Sequence, residues 1–376
     1  MGVRFEPIGL TPLDHIPGKI YIPYMLSFNS ADPKIAVQTV RNGIKKLLDD
    51  VPWLADDVIT HTDPETRGFI HPPKLPLNEI EILSVKHFEH DEDFQSHSDV
   101  QFLFAFSWVH QVFDGSGAGT VLESLSECCR AAAAFNSNIS SEQWGAMESA
   151  MGAATSTHRL TFCPSKVAAL KAKRLSFFSS SDIVAAVLSI SIDRAMHAEP
   201  ADPANPRWTI TAADLRHRVN PPLPDTYLGN MIYAAWKPID CGRIRDLRNQ
   251  DNDADLLHVT QLASQVRTRI GQLNEVTAYS CSTRVAETGN WYETEDNAPN
   301  CYALDFGPGL GYIEDFKPGF ALIPGACIVL PRRTREVEPD ATVPWEVPVT
   351  FMVGQHETLH QRHVDKGTGV SSDRGK

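Results

Sequence analysis

The chain has 376 residues, 42% of them hydrophobic, and its 34 Lys and Arg against 47 Asp and Glu give a formal net charge of −13. That length holds two domains with full cores. The acidic balance argues against nucleic acid or an anionic membrane as partner, and no apolar stretch approaches the roughly 20 residues that cross a bilayer. Met1 to Pro7 lacks the apolar core of a signal peptide, and Glu6 stands where a myristoylation motif needs Ser or Thr. Seven scattered cysteines, only Cys128 and Cys129 adjacent, read as reduced thiols of the cytoplasm rather than a disulfide framework. In that compartment the sequon Asn138-Ile-Ser140 goes unused.

Helices and strands alternate irregularly, without a repeat. Asp32-Pro33 is a cap followed by proline at the first helical position, and the helix after it lines up Val37, Val40, Ile44, Leu47 and Leu48. Phe102-Leu-Phe-Ala-Phe-Ser-Trp-Val109 is too short for a long helix and rich in aromatics, so it predicts a buried strand. The strand delivers His110. Four residues later come Asp114 and the glycine-rich exit Gly115-Ser-Gly-Ala-Gly119, from which a second helix runs through Val121, Leu122 and Leu125 toward Arg130.

Residues 136–165 are rich in Ala, Ser, Asn and Thr with weak periodicity, and read as a crossover linker between an N-terminal domain, 1–135, and a C-terminal domain, 166–365. Ser180-Ser-Asp182 caps an apolar helix from Ile183 to Met196, and Val259, Leu262, Val266, Ile270 and Leu273 line another. Phe320 to Pro331 has the pattern of a hairpin turning at Pro324-Gly325, and Val347 to Val353 is a last strand feeding a short helix. The polar tail, 366–376, is expected to be disordered.

A histidine held at the end of a stiff strand can serve as a base, since its charge change falls near neutral pH, while His-x-x-x-Asp lets the carboxylate brace the loop without meeting substrate. Further on stand Arg216-His-Arg-Val-Asn-Pro-Pro-Leu-Pro, Tyr227-Leu-Gly-Asn230 and Asp305-Phe-Gly-Pro-Gly309. With Leu10-Thr-Pro-Leu-Asp14, Val51-Pro-Trp-Leu-Ala55 and Ile328-Val-Leu-Pro-Arg332, these stand in one order over nearly the whole chain. In this the sequence resembles the BAHD-type acyl-CoA-dependent acyltransferases, especially fungal members of the trichothecene acetyltransferase kind.

The resemblance implies an α/β fold of two similar-sized mixed-sheet domains joined by a crossover, with an active-site channel between them, and a monomer. It implies acyl transfer from an acyl-CoA or carrier-bound thioester to a hydroxyl or amine of a small molecule, a secondary metabolite, with no permanently bound cofactor and no metal. An acyl carrier protein is a possible donor partner. His110 is then the general base, help worth ~10²–10⁴-fold, and Asp114 faces away to pair with an arginine, for which Arg216 is nominated. Gly115, Asp305, Gly307 and Gly309 are structural support. Asn230 is a candidate second-shell donor, and Ser280 a candidate oxyanion donor, because Tyr279-Ser-Cys281 stands where plant members carry Thr-Ser-Trp.

Pro308 also replaces the tryptophan of Asp-Phe-Gly-Trp-Gly, and the chain is several tens of residues shorter than relatives, the shortfall falling between Thr62 and Phe102. These departures keep two alternatives open: the same fold diverted to cyclisation or another non-acyl-transfer step, and a non-catalytic binding homologue. His356-Glu-Thr-Leu-His360 satisfies the zinc-protease pattern but lacks a separate third ligand. His87-Phe-Glu-His-Asp-Glu-Asp93, with His97, reads as a solvated acidic loop rather than a cation site. The two glycine runs lack dinucleotide-fingerprint spacing.

Overall fold

The computed structural model describes residues 5–15, 20–55, 57–59, 68–76, 80, 82–85, 102–132, 155–172, 178–197, 207–234, 239–240, 252–273, 290–293, 301–318, 324–333, 343–355 and 370–372. The first half runs β1 (Ile8–Gly9), β2 (Tyr21–Phe28), α1 (Pro33–Asp50), β3 (Asp57–Ile59), β4 (Phe69–His71), β5 (Phe102–Val109) and α2 (Gly115–Ala132). The Asp32 carboxylate accepts the Lys34 and Ile35 amides, and Pro33 occupies a position whose amide would go unpaired. α1 buries Ala36, Val40, Leu47 and Leu48. It meets α2 where Gly43 lies against Cys129; a Cβ there would run into the Cys129 sulfur and stand 3.0 Å from its Cα and N.

β2 and β5 pair antiparallel along all eight residues, from Tyr21 opposite Val109 to Phe28 opposite Phe102. Leu26, Phe28, Phe104 and Trp108 then face Val40, Leu122 and Leu125 in one core.

The second half contributes β6 (Thr155–Phe162), α3 (Pro164–Ala172), α4 (Ser180–Met196), β7 (Trp208–Asp214), β8 (Ile232–Ala234), β9 (Ile239–Asp240), α5 (Asn252–Gly271), β10 (Asn290–Glu293), β11 (Asp315–Pro318), β12 (Cys327–Ile328), β13 (Trp345–Met352) and β14 (Val370–Ser372). All of these strands except β11 form one mixed sheet, ordered β14-β6-β13-β12-β10-β7-β8, with β9 also on β7. α4 is buried almost all round: Ile183, Val184, Leu188 and Ile192 pack with Leu262 and Val266 of α5 and with Val347, Val349 and Phe351 of β13. Its cap is Ser179, one residue earlier than the sequence suggests, in a reciprocal box with Asp182.

Three sequence expectations are corrected. The crossover 136–165 ends in a strand rather than a linker: β6 pairs with β13 over eight residues. Its threonines suit a strand by β-branching, and Leu160 and Phe162 supply the buried face. The tail 366–376, expected to be disordered, contains β14, because the outer edge of β6 is open to backbone pairing from Val370 opposite Phe162 onward.

The division at 166–365 is crossed by β11, which adds to the first half's sheet beside β2. The Phe316 ring centroid lies 4.6 Å from that of Tyr24, and Cys301, Tyr302, Phe306, Leu310 and Ile313 join the first core. Apolar burial, not chain position, decides that assignment. The turn at Pro324-Gly325 is present, but Cys327–Ile328 pairs with β10 and β13. The first arm of the expected hairpin, Phe320 to Leu322, the zinc-like pattern at His356 and the acidic stretch at His87 lie outside the described residues.

Candidate active site

β5 carries its apolar run to Val109, and the chain turns at His110. The His110 amide donates to the Ile20 carbonyl at 2.8 Å, the Val112 amide to the Val109 carbonyl at 2.9 Å, and Trp108 Nε1 to the Phe113 carbonyl at 3.1 Å. Asp114 closes the turn by capping α2: Oδ1 accepts the Gly117 amide at 2.9 Å, and its carbonyl accepts the Ala118 amide at 2.8 Å. The imidazole of His110 is half-buried. Among the described residues its Nδ1 is buried without a hydrogen-bond partner.

The Asp114 carboxylate turns to Arg216. The two residues are 0% and 2% exposed, so water screens neither. Arg216 Nη1 donates to Asp114 Oδ2 at 3.1 Å and Nη2 to Oδ1 at 2.8 Å, a two-pronged contact matched to guanidinium geometry. The remaining donors reach Asp214 Oδ2 at 3.2 Å, the Tyr227 carbonyl at 3.1 Å and the Gly229 carbonyl at 3.0 Å. Burial disfavours the Arg216 cation, but Asp114 and Asp214 outweigh it and hold its pKa above the ordinary value. Asp114 Oδ2 also accepts the Met231 amide at 2.8 Å. Glycine is required at Gly117, since a Cβ there would run into the Leu228 carbonyl oxygen. The carboxylate is thus held by the Gly117 amide of its own half and by Arg216 and Met231 of the second, and among the described residues none of its bonds goes to the imidazole.

Asn230 is 2% exposed and donates through Nδ2 to the His110 carbonyl at 2.9 Å. The same nitrogen donates to Asp14 Oδ1 at 2.9 Å, and the Asn230 backbone amide reaches that oxygen at 3.0 Å. Asp14 is the residue that sequence reasoning missed. The signal was its place at the end of Leu10-Thr-Pro-Leu-Asp14, a stretch noted for its family look but given no role.

Asp305 to Gly309 lies elsewhere. Gly307 and Gly309 adopt φ of 82° and 81°, the left-handed region that glycine enters without a Cβ clash. A Cβ at Gly309 would stand 2.8 Å from the Ala36 amide nitrogen. The Asp305 carbonyl accepts Arg130 Nη1 at 2.6 Å, and Thr39 donates to the Pro308 carbonyl at 2.9 Å. Arg130 sits 15 residues along α2 from Gly115, so at 1.5 Å per residue the motif is about 22 Å from the start of that helix. Gly115 opens α2 directly behind Asp114. Ser280 lies outside the described residues, and among those described no group of three or more His, Cys, Asp or Glu is placed to hold a metal.

The strand-end histidine, with an aspartate-capped helix turned away from it onto an arginine of the other half, sits in a fold shared with solved acyltransferases. The chain has that fold, in the form the BAHD enzymes share. F. graminearum TRI101, solved with coenzyme A and T-2 mycotoxin, aligns with TM-score 0.64 and 19% identity over 98% of this chain and all of that one. Vinorine synthase aligns with TM-score 0.64 and 16% identity over 100% and 96%. No protein-family model matches the sequence.

In sequence the chain is similar to fumigaclavine B O-acetyltransferase of Aspergillus fumigatus, 24% identical over 93% of this chain and 94% of that one. It is likewise similar to communesin N16 acyltransferase of Penicillium expansum, 27% identical over 93% and 95%. The resemblance to BAHD-type acyltransferases is therefore borne out in fold and along the sequence. The first of these alignments takes 467 positions for a chain of 376 residues, so the relative carries insertions that this chain lacks.

Proposed function

We propose that the protein transfers an acyl group from a coenzyme A thioester to a hydroxyl or amine of a small secondary metabolite, with His110 as general base. The observation that carries this reading is the His110 turn: a half-buried imidazole at the seam of the two halves, with Asp114 turned away to Arg216. A neutral alcohol or amine is a poor nucleophile. As its oxygen or nitrogen attacks the thioester carbonyl, its proton passes to the imidazole. The carbon–sulfur bond of the tetrahedral intermediate then breaks, and the thiolate recovers that proton from the imidazolium to leave as the free thiol. Protons and charge balance with no covalent acyl-enzyme.

Asp114 is a brace in this scheme. Arg216 partners it, and Gly115, Asp305, Gly307 and Gly309 shape the scaffold. Ser280 is carried as a candidate donor to the oxyanion, and Asn230 as a contact behind the histidine. One relative's name specifies O-acetylation and another's acylation at N16, which supports keeping both hydroxyl and amine acceptors. A solved neighbour bound to coenzyme A supports the donor. A carrier-protein thioester is a second possible donor, and a cytoplasmic monomer is the working assembly. The free thiols of Cys128, Cys129, Cys163, Cys301 and Cys327 suit that compartment, and among the described residues no helix is long and apolar enough to cross a membrane.

The test is release of free thiol from acetyl-CoA with a panel of hydroxyl and amine acceptors. Acceptor-dependent release is expected, falling by roughly 10²–10⁴-fold in His110→Ala. Turnover of a biosynthetic intermediate without any acyl donor, or undiminished release by His110→Ala, would overturn the reading.

A further inference from the structure

We infer that Asp14 is a positioning residue for His110 and acts through the side-chain amide of Asn230; this rests on His110 being the base. Asp14 lies in the short turn Pro12–His15 and is 3% exposed. Among the described residues its partners are N–H groups rather than a cation: the Thr11 amide on Oδ2 at 2.6 Å, and the Asn230 amide and Nδ2 on Oδ1 at 3.0 and 2.9 Å.

Asn230 Nδ2 has two hydrogens, and both are spoken for, one by Asp14 and one by the His110 carbonyl. Rotating the amide by half a turn would set its oxygen against the Asp14 carboxylate and the His110 carbonyl, three acceptors with no proton among them. The buried carboxylate therefore dictates which way the amide points, and the amide holds the His110 main chain. Among the described residues Asn230 Oδ1 is left buried without a partner. Such an orphan acceptor is unfavourable, and the doubly engaged nitrogen offsets it.

Among the described residues Nδ1 of the imidazole has no partner, and the backbone that carries the ring sets its place. That backbone is fixed from two sides. The His110 amide is held by Ile20 ahead of β2, and the His110 carbonyl by Asn230 of the second half. A base must lie within hydrogen-bond reach of the proton it takes. Loosening the second anchor displaces the ring from the attacking atom without touching either substrate. Leu13, next to Asp14, packs independently with Leu215 and Met231, so the segment keeps a foothold when the carboxylate is removed.

The experiment compares Asp14→Ala, Asp14→Asn, Asn230→Ala and the double Asp14→Ala/Asn230→Ala. In Asp14→Ala, kcat should fall by up to about 100-fold. KM for both substrates should stay within about twofold, the sign of an interaction that matters in the transition state. Asp14→Asn keeps an oxygen for Asn230 and should recover most of kcat. The double variant should be no slower than Asn230→Ala alone, because both lie on one chain of contacts.

Independently of turnover, the His110 ring signals in NMR, assigned by their loss in His110→Ala, should shift in both Asp14→Ala and Asn230→Ala, while those of His15, the neighbour of Asp14, move with Asp14→Ala and the remaining 12 of the 14 histidines hold still. Losses that multiply in the double variant, KM rising as much as kcat falls, or unmoved His110 signals would each overturn the inference. If the unmodified protein releases no thiol, acyl transfer fails. The NMR comparison still decides the role of Asp14, and if Asp14→Ala does not fold, Asn230→Ala reads the same contact.

Discussion

Two carboxylates, Asp14 and Asp114, are buried within a few residues of His110 in space, and they are stabilised differently. Asp114 has a cation and two amides; among the described residues Asp14 has N–H groups only. Removing half of a buried pair leaves an uncompensated charge, which is destabilising by about 3–5 kcal/mol. Arg216→Met should approach that range, because Asp114 would then face only the Gly117 and Met231 amides. Asp114→Asn should fall below it, because Asp214 remains 3.2 Å from Arg216. Arg216→Lys keeps the charge but has no fork to span both carboxylate oxygens and the Tyr227 and Gly229 carbonyls, and should lie between the two. Urea unfolding of the three variants tests the order. Equal losses in all three would show that the two-pronged geometry, and not charge, holds the turn.

At the scale of elements, close approach and charge decide what can be changed. Gly43→Ala places a methyl against Cys129 with backbone behind it, and overpacking of this kind is destabilising by about 1–3 kcal/mol. Gly271→Ala, at the end of α5 with nothing within 4 Å of a new Cβ, should be neutral or slightly stabilising, and melting curves of the pair separate the two. β11 carries a second kind of constraint. Asp315 is met by Arg159 of β6 at 2.7 Å, Arg333 at 2.7 Å and Lys317 at 3.3 Å. Burial pushes its pKa up, but Arg159, Lys317 and Arg333 outweigh that and hold it below the usual carboxylate value. A depressed carboxylate contributes stability at neutral pH that is lost as pH falls through its folded pKa. Stability should therefore decline below the ordinary Asp range, and Arg159→Ala/Arg333→Ala should decline less steeply there; parallel curves would detach the ion pairs from the acid response. Such pairings are not written in the sequence. α1 and α5 were legible because their apolar residues recur at helical spacing, α2 because Val121, Leu122 and Leu125 follow the glycine-rich exit, and α4 and β5 because each is a continuous apolar run, one capped and one short and aromatic. β6 and β14 were not, because their stability comes from main-chain pairing across long separations, and their Thr and Ser content reads as loop.

Over the whole molecule, the site was legible in parts and illegible in its joints. His110 and Asp114 announce themselves within five residues, whereas Arg216 is 102 residues from Asp114 and became a candidate only through the resemblance. Asp14 and Asn230, 216 residues apart, offered no local pattern that could pair them. Those long-range joints tie the halves together. Asp114 meets Arg216, Asp14 meets Asn230, β11 leaves the second half to pair with β2, and Arg159 donates to the Phe316 carbonyl at 2.9 Å from across the seam. A chain whose halves were separate stability units would unfold in two steps. Here the loss of one half strips buried partners from the other, which should raise the free energy of any half-folded state above both ends. Unfolding in urea should then be a single transition. Hydrogen exchange measured by region should give one midpoint for β5 with α2 and for α4 with β13. Arg159→Ala/Arg333→Ala should leave that coincidence intact, since the deeply buried Asp114–Arg216 joint remains, whereas Arg216→Met should draw the two midpoints apart. Separate midpoints in the unmodified protein would mean that the joints at the histidine are too weak to couple the halves. The His110 turn would then be held by the first half alone.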